Sequence, residues 1–88
     1  MKVEFLAKFD KDLDKLTSQR VKDDIISAIE NVEQAQKIAG IQNIKKLKGA
    51  KIAYRIKIGE YRIGLYIEGK TVEFARVVHR KDIYKFFP

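Results

Sequence analysis

Residues 54–66 read YRIKIGEYRIGLY, and the alternation in this segment decides what kind of fold the chain can form. Ile52, Tyr54, Ile56 and Ile58 alternate with Ala53, Arg55 and Lys57. Beyond Gly59-Glu60, the residues Tyr61, Ile63, Leu65 and Ile67 alternate with Arg62, Gly64 and Tyr66. A period of two marks half-buried strands. Glycine at the first position of a two-residue loop suits a type II′ turn, which sets Ile58 opposite Tyr61. The register then follows: Lys57 faces Arg62, Arg55 faces Gly64 and Ala53 faces Tyr66, all on the face opposite the apolar set. A second turn at Gly69-Lys70 pairs Ile67 with Val72 and Leu65 with Phe74, which adds a third strand, TVEFARVVH. Its alternation fails near Arg76-Val77-Val78, so a bulge is expected there.

Outward from this meander the period changes. Phe9, Leu13 and Leu16 are spaced by four and three, one stripe of a helix. Thr17 and Ser18 supply capping side chains for a longer run with Val21, Ile25, Ala28, Ile29, Val32 and Ala35 on one face, which Gly40 is expected to end. KVEFL at 2–6 reads as a strand, IQNIKKLKG as a basic connection, and RKDIYKFFP as a turn or short helix. The expected class is α+β: an N-terminal strand, two helices packed on an antiparallel sheet, and a short C-terminal helix or tail, in one domain spanning 1–88.

A domain of 88 residues has room for one core and little else, so its function must lie in a groove or on a surface. Without cysteine there is no disulfide, thiol nucleophile or thiolate metal site. The apolar runs are too short to span a membrane and the N-terminal segment turns acidic too early for a signal peptide, so a cytoplasmic location is expected. Net charge is +7, unevenly placed. Residues 1–44 carry seven Lys/Arg against eight acids, whereas residues 45–88 carry twelve against four. Basic asymmetry of this kind attracts polyanions.

The hairpin is where this charge becomes specific. Like charges directly opposite each other across strands are unfavourable, yet Lys57 faces Arg62 with Arg55 beside them, while Glu60 and Glu68 are kept to the turns. Gly64 weakens its strand unless something approaches closely there. These departures point to a phosphate lying across the hairpin; the plainer alternative is long side chains splayed into water. RNA cleavage by its own 2′-hydroxyl needs a proton acceptor, cations on the phosphoryl oxygens and a proton for the departing 5′-oxygen. Arginine suits the second role. Cationic neighbours favour the neutral amine of a lysine, which makes Lys57 the base candidate, and His79 beside Arg80 is a candidate acid or base. Tyr66 and Tyr84 could stack on a base, and Lys45, Lys46, Lys48, Lys51, Lys81 and Lys85 are candidates for backbone contact. A metal would want clustered carboxylates or histidines, and no GxGxxG or phosphate-binding loop occurs, so the reading needs neither metal nor cofactor.

KLKG leading into AYRIKIGEYRIGLYI, with a third strand ending VVHRKDIY, resembles the RelE/ParE superfamily of toxins from toxin-antitoxin pairs over nearly the whole chain. The resemblance implies a microbial-ribonuclease-like fold and an antitoxin that wraps around it. In RelE-like members it implies ribosome-dependent cutting of mRNA by a basic-plus-tyrosine set. Position by position, it makes Lys57 the general base, Arg62 the phosphate-stabilising arginine, Arg80 the group at the leaving oxygen and Tyr84 the stacking tyrosine. Arg55 stands where a second lysine is common, and His79 at a position often histidine. ParE-like members share the fold but inhibit DNA gyrase by binding and typically lack the full basic set. An inactive basic RNA-binding domain is the third reading.

Overall fold

The computed structural model describes all 88 residues. The elements are β1 (Lys2–Phe5), α1 (Ala7–Lys15), α2 (Gln19–Gln34), a 3-10 turn (Ile38–Gly40), β2 (Ile44–Lys46), β3 (Ala53–Ile58), β4 (Tyr61–Glu68), β5 (Thr71–His79) and α3 (Ile83–Phe86). The hairpin has the register that alternation dictates: Ile58 with Tyr61, Lys57 with Arg62, Arg55 with Gly64 and Ala53 with Tyr66. Gly59 and Gly69 turn the chain at φ +55° and +60°, a region closed to most residues that carry a Cβ.

Two further strands flank the meander, giving the order β1-β5-β4-β3-β2. β1 lies parallel to β5, from Lys2 beside Thr71 to Phe5 beside Phe74. A parallel neighbour needs a long crossover, and it is reached here through the rest of the chain. β2 pairs antiparallel with β3, placing Ile44 opposite Ile56 and Lys45 opposite Arg55. The segment read as a basic connection thus contains a strand, one of three residues with a single apolar member, too short to show a period.

The bulge falls one residue before the expected Arg76-Val77-Val78. Gly64 pairs with Arg76 and Leu65 with Phe74, leaving Ala75 as the extra residue. α2 begins as capped, with the Ser18 hydroxyl accepting from the Val21 N–H at 3.3 Å. It ends well before Gly40. Ala35 is extended and buried, and the Asn31 side chain holds the returning chain by donating to the Gly40 carbonyl and accepting from the Gln42 N–H. Gly40 instead closes the 3-10 turn.

Phe9, Ile25, Val32, Ile56, Ile63, Leu65, Phe74 and Val77 join the two helices to one face of the sheet. The opposite face carries a second, smaller core of Leu47, Ala53, Ala75, Ile83 and Phe87, so cations share that face with the C-terminal segment. Here the reading of Gly64 is corrected: what approaches the missing side chain is not a phosphate but the Phe87 ring, whose Cγ would lie 2.6 Å from a Cβ at this position.

β1 stops beside Phe74, and α1 covers the β5 edge beyond it. Asp12 in α1 accepts from Arg76 Nε at 2.7 Å, from Arg76 Nη2 at 3.0 Å and from the Val77 N–H at 3.1 Å. A carboxylate thus satisfies an open strand edge and a guanidinium together. The hydrogen bonds that Arg76 donates to Asp12, with the carboxylate charge in support, raise the Arg76 pKa against the opposing effect of burial. No helix is long and apolar enough to cross a membrane.

Candidate phosphate-binding face

Strand pairing lays the hairpin cations in rows across one face of the sheet. Lys45, Arg55, Gly64 and Arg76 form one row, and Lys57, Arg62 and Val78 the next. Arg55 and Arg62, on adjacent strands, are diagonal neighbours at a separation of about 7–8 Å. The turn after β5 brings Arg80 and Lys81 to the same place, and α3 adds Ile83 and Tyr84. Arg55, Arg62, Arg80, Lys81, Ile83 and Tyr84 line one open hollow of about 400 Å³. Tyr84 is 73% exposed, with its ring free for a flat partner.

Lys57 does not line that hollow. With Lys45, Asn43 and Ile44 it bounds an adjoining one of about 300 Å³, and Arg55 is common to both. Lys57 also borders a polar cleft of about 280 Å³ with Asp24, Ser27, Asn31 and Gln42. The cations therefore form two neighbouring groups hinged on Arg55.

Each arginine is already oriented. Arg62 Nη1 donates to the carbonyls of Gly59 and Tyr61, both at 2.8 Å, and Arg55 Nη1 donates to the Asn43 carbonyl at 3.1 Å. Arg80 Nε lies 2.8 Å from Glu60 Oε2. The turn acid Glu60 thus reaches Arg80, while Arg55, Lys57 and Arg62 have no acid partner. The Glu60 and Arg80 side chains are both more than half exposed, and such a pair contributes at most about 1 kcal/mol, so a phosphate can replace the carboxylate. Glu60 follows from the register. Tyr61 lies opposite His79, which sets residue 60 beside residue 80.

His79 lies elsewhere. It shares its row with Ile58 and Tyr61, on the helix side of the sheet, and does not line the arginine hollow. Its Nδ1 accepts from the Lys81 N–H at 3.2 Å, which leaves a neutral ring's proton on Nε2, 3.8 Å from Glu60 Oε2. Of the lysines, Lys45 and Lys81 line the two hollows. Lys46 projects to the other face of β2, while Lys48 and Lys51 are exposed on the loop before β3. Lys85 is 3.5 Å from Asp82. Tyr66 packs against Phe87 with ring centroids 5.0 Å apart and borders a recess containing Glu68 and Glu73, so it stands apart from the cations.

Residues 3–84 match the family model described as the ParE toxin of the type II toxin-antitoxin system parDE. The chain belongs to the RelE/ParE superfamily of toxins. It is 42% identical over 89 residues to Toxin RelE3 of Methanocaldococcus jannaschii, with 100% of both chains covered. A chain of the RelB-RelE antitoxin-toxin complex from Methanococcus jannaschii matches with a TM-score of 0.81 and 38% identity, over 97% of this chain and 99% of that one. A chain of the RelE-RelB complex from Pyrococcus horikoshii OT3 has the same fold, with a TM-score of 0.74 at 17% identity over 93% and 97% of the two chains. As a RelE-like toxin, the protein presents its hairpin cations on the sheet face away from α1 and α2.

Proposed function

We propose that this toxin is a ribosome-dependent mRNA endoribonuclease that cuts by attack of the message's own 2′-hydroxyl and uses side chains alone. The observation that carries the reading is the convergence of Arg55, Arg62 and Arg80, from two strands and a turn, on one hollow with Tyr84 at its rim. Lys57, in the adjoining hollow that Arg55 shares, takes the 2′-hydroxyl proton on its neutral amine while that oxygen bonds to phosphorus. Arg55 and Arg62 neutralise charge growing on the non-bridging oxygens. Arg80, released from Glu60, stabilises the 5′-oxygen as its bond to phosphorus breaks, and solvent or a neighbouring donor returns a proton to it. Tyr84 stacks on a base and holds it in line. The ribosome supplies the message in an extended conformation. The proposed antitoxin is RelB-like, as in the related complexes, and blocks the cationic face or displaces the Tyr84 segment.

Primer extension on a ribosome-bound message tests this directly. Arg62→Ala and Arg80→Ala should each slow cutting by about 10²- to 10³-fold, the cost of losing one transition-state donor, while circular dichroism remains that of the folded protein. Cutting at the wild-type rate by Arg62→Ala would remove that residue from the mechanism. The ParE description of the matching family model favours a second reading, a gyrase inhibitor that binds without breaking a bond. In that case the protein blocks DNA supercoiling and leaves ribosome-bound messages whole.

A further inference from the structure

α3 is only four residues long, yet it carries Tyr84, so something outside the helix must hold it against the sheet. Ile83 and Phe87 bury one side of it in the smaller core, and two further contacts fall on one cross-strand pair, Gly64 opposite Arg76. The Phe87 ring fills the space above Gly64. Phe86, which is 52% exposed, lies with its ring centroid 5.0 Å from the Arg76 guanidinium carbon. A guanidinium at this distance over a ring face is attracted by the ring's quadrupole, provided that its plane is kept in place.

Asp12 keeps it there. Its two oxygens grip Arg76 at Nε and Nη2 in a two-point fork, and Oδ2 also accepts from the Val77 N–H, so that carboxylate and guanidinium are both fixed to the backbone of β5. The Arg76 side chain is 16% exposed and that of Asp12 7%. Neither lines the arginine hollow.

We infer that Asp12, Arg76 and Phe86 form a relay that seats α3 and thereby positions Tyr84, making Asp12 and Arg76 positioning residues for the site although neither reaches it. The role assigned to the seated Tyr84 rests on the ribonuclease reading; the seating itself does not.

Amide hydrogen exchange on the full chain therefore comes first. Lys85 and Phe87 donate their N–H groups to the Asp82 and Ile83 carbonyls and report α3 opening. In Phe86→Leu these two amides should exchange about three- to fivefold faster, the size expected for one partly exposed cation–π contact, with the β4 and β5 amides unchanged. Phe86→Tyr should restore wild-type exchange. Arg76→Lys keeps a charge but loses the planar fork; it should produce a similar acceleration, and the double variant no more than either single one, since both act through the same contact. Unchanged exchange at residues 85 and 87, strictly additive effects, or equal acceleration throughout the sheet would each overturn the relay. On ribosome-bound message, Phe86→Leu should lower kcat by a similar factor without raising KM, and Phe86→Tyr should restore it. If exchange responds as expected and no variant cuts RNA, the relay stands and the ribonuclease reading falls.

Discussion

Gly64 shows how one residue can point correctly to a close approach and wrongly to what approaches. A glycine in mid-strand asks for an intruder; only the fold shows that the intruder comes from the chain's own Phe87. Gly64→Ala should cost about 1–3 kcal/mol of stability, the usual cost of overpacking, measured by urea unfolding. In a Phe87→Ala background the same substitution should cost clearly less, because the clash has gone; equal costs in the two backgrounds would mean that the ring is not the obstacle. Glu60 was hidden for a different reason. Its nearness to Arg80 depends on where β4 and β5 pair, and the bulge at Ala75 sets that pairing. Glu60→Gln removes a competitor for Arg80 and a negative charge from the rim of the hollow, so it should tighten the binding of short single-stranded RNA by about two- to fivefold, read by fluorescence anisotropy.

Among elements, legibility followed length and locality. The β3–β4 register was readable residue by residue because a two-residue turn leaves no freedom. β2 was not, since three residues cannot display a period, and Gly40 is a misleading stop because α2 already ends at Gln34, where Ala35 turns extended and buried. The cations legible in the hairpin, Arg55, Lys57 and Arg62, do share a face, whereas His79 and Tyr66 do not join them, because one occupies the opposite row and the other packs on Phe87. Asp12 was out of reach altogether. An aspartate in a charged helix reads as solvent-facing, and its partner lies 64 positions away. Because it fastens α1 to the open edge of β5, Asp12→Ala strands both a guanidinium and a strand N–H. A loss of about 3–5 kcal/mol is expected from breaking such a pair on one side, seen as a lower urea midpoint. Ser18→Ala at the start of α2 should cost only about 1 kcal/mol.

For the molecule as a whole, charge is sorted by sequence half and then by sheet face: the half from residue 45 onward is strongly basic, and its hairpin cations project away from the two long helices. Association with single-stranded RNA should therefore weaken steeply with salt. If Arg55, Lys57, Arg62 and Arg80 each meet a phosphate, the logarithmic slope is about −3, roughly a fiftyfold loss between about 50 and 200 mM. Arg62→Ala should reduce the slope by about 0.7; an unchanged slope would mean that Arg62 does not contact the backbone. Lastly, the pairing of β1 with β5 joins Lys2 to Thr71, the two ends of a very long loop. The meander can zip through neighbouring residues, whereas the opening strand has a loop spanning most of the chain to close, so its pairing carries the larger entropic cost and is expected to form late.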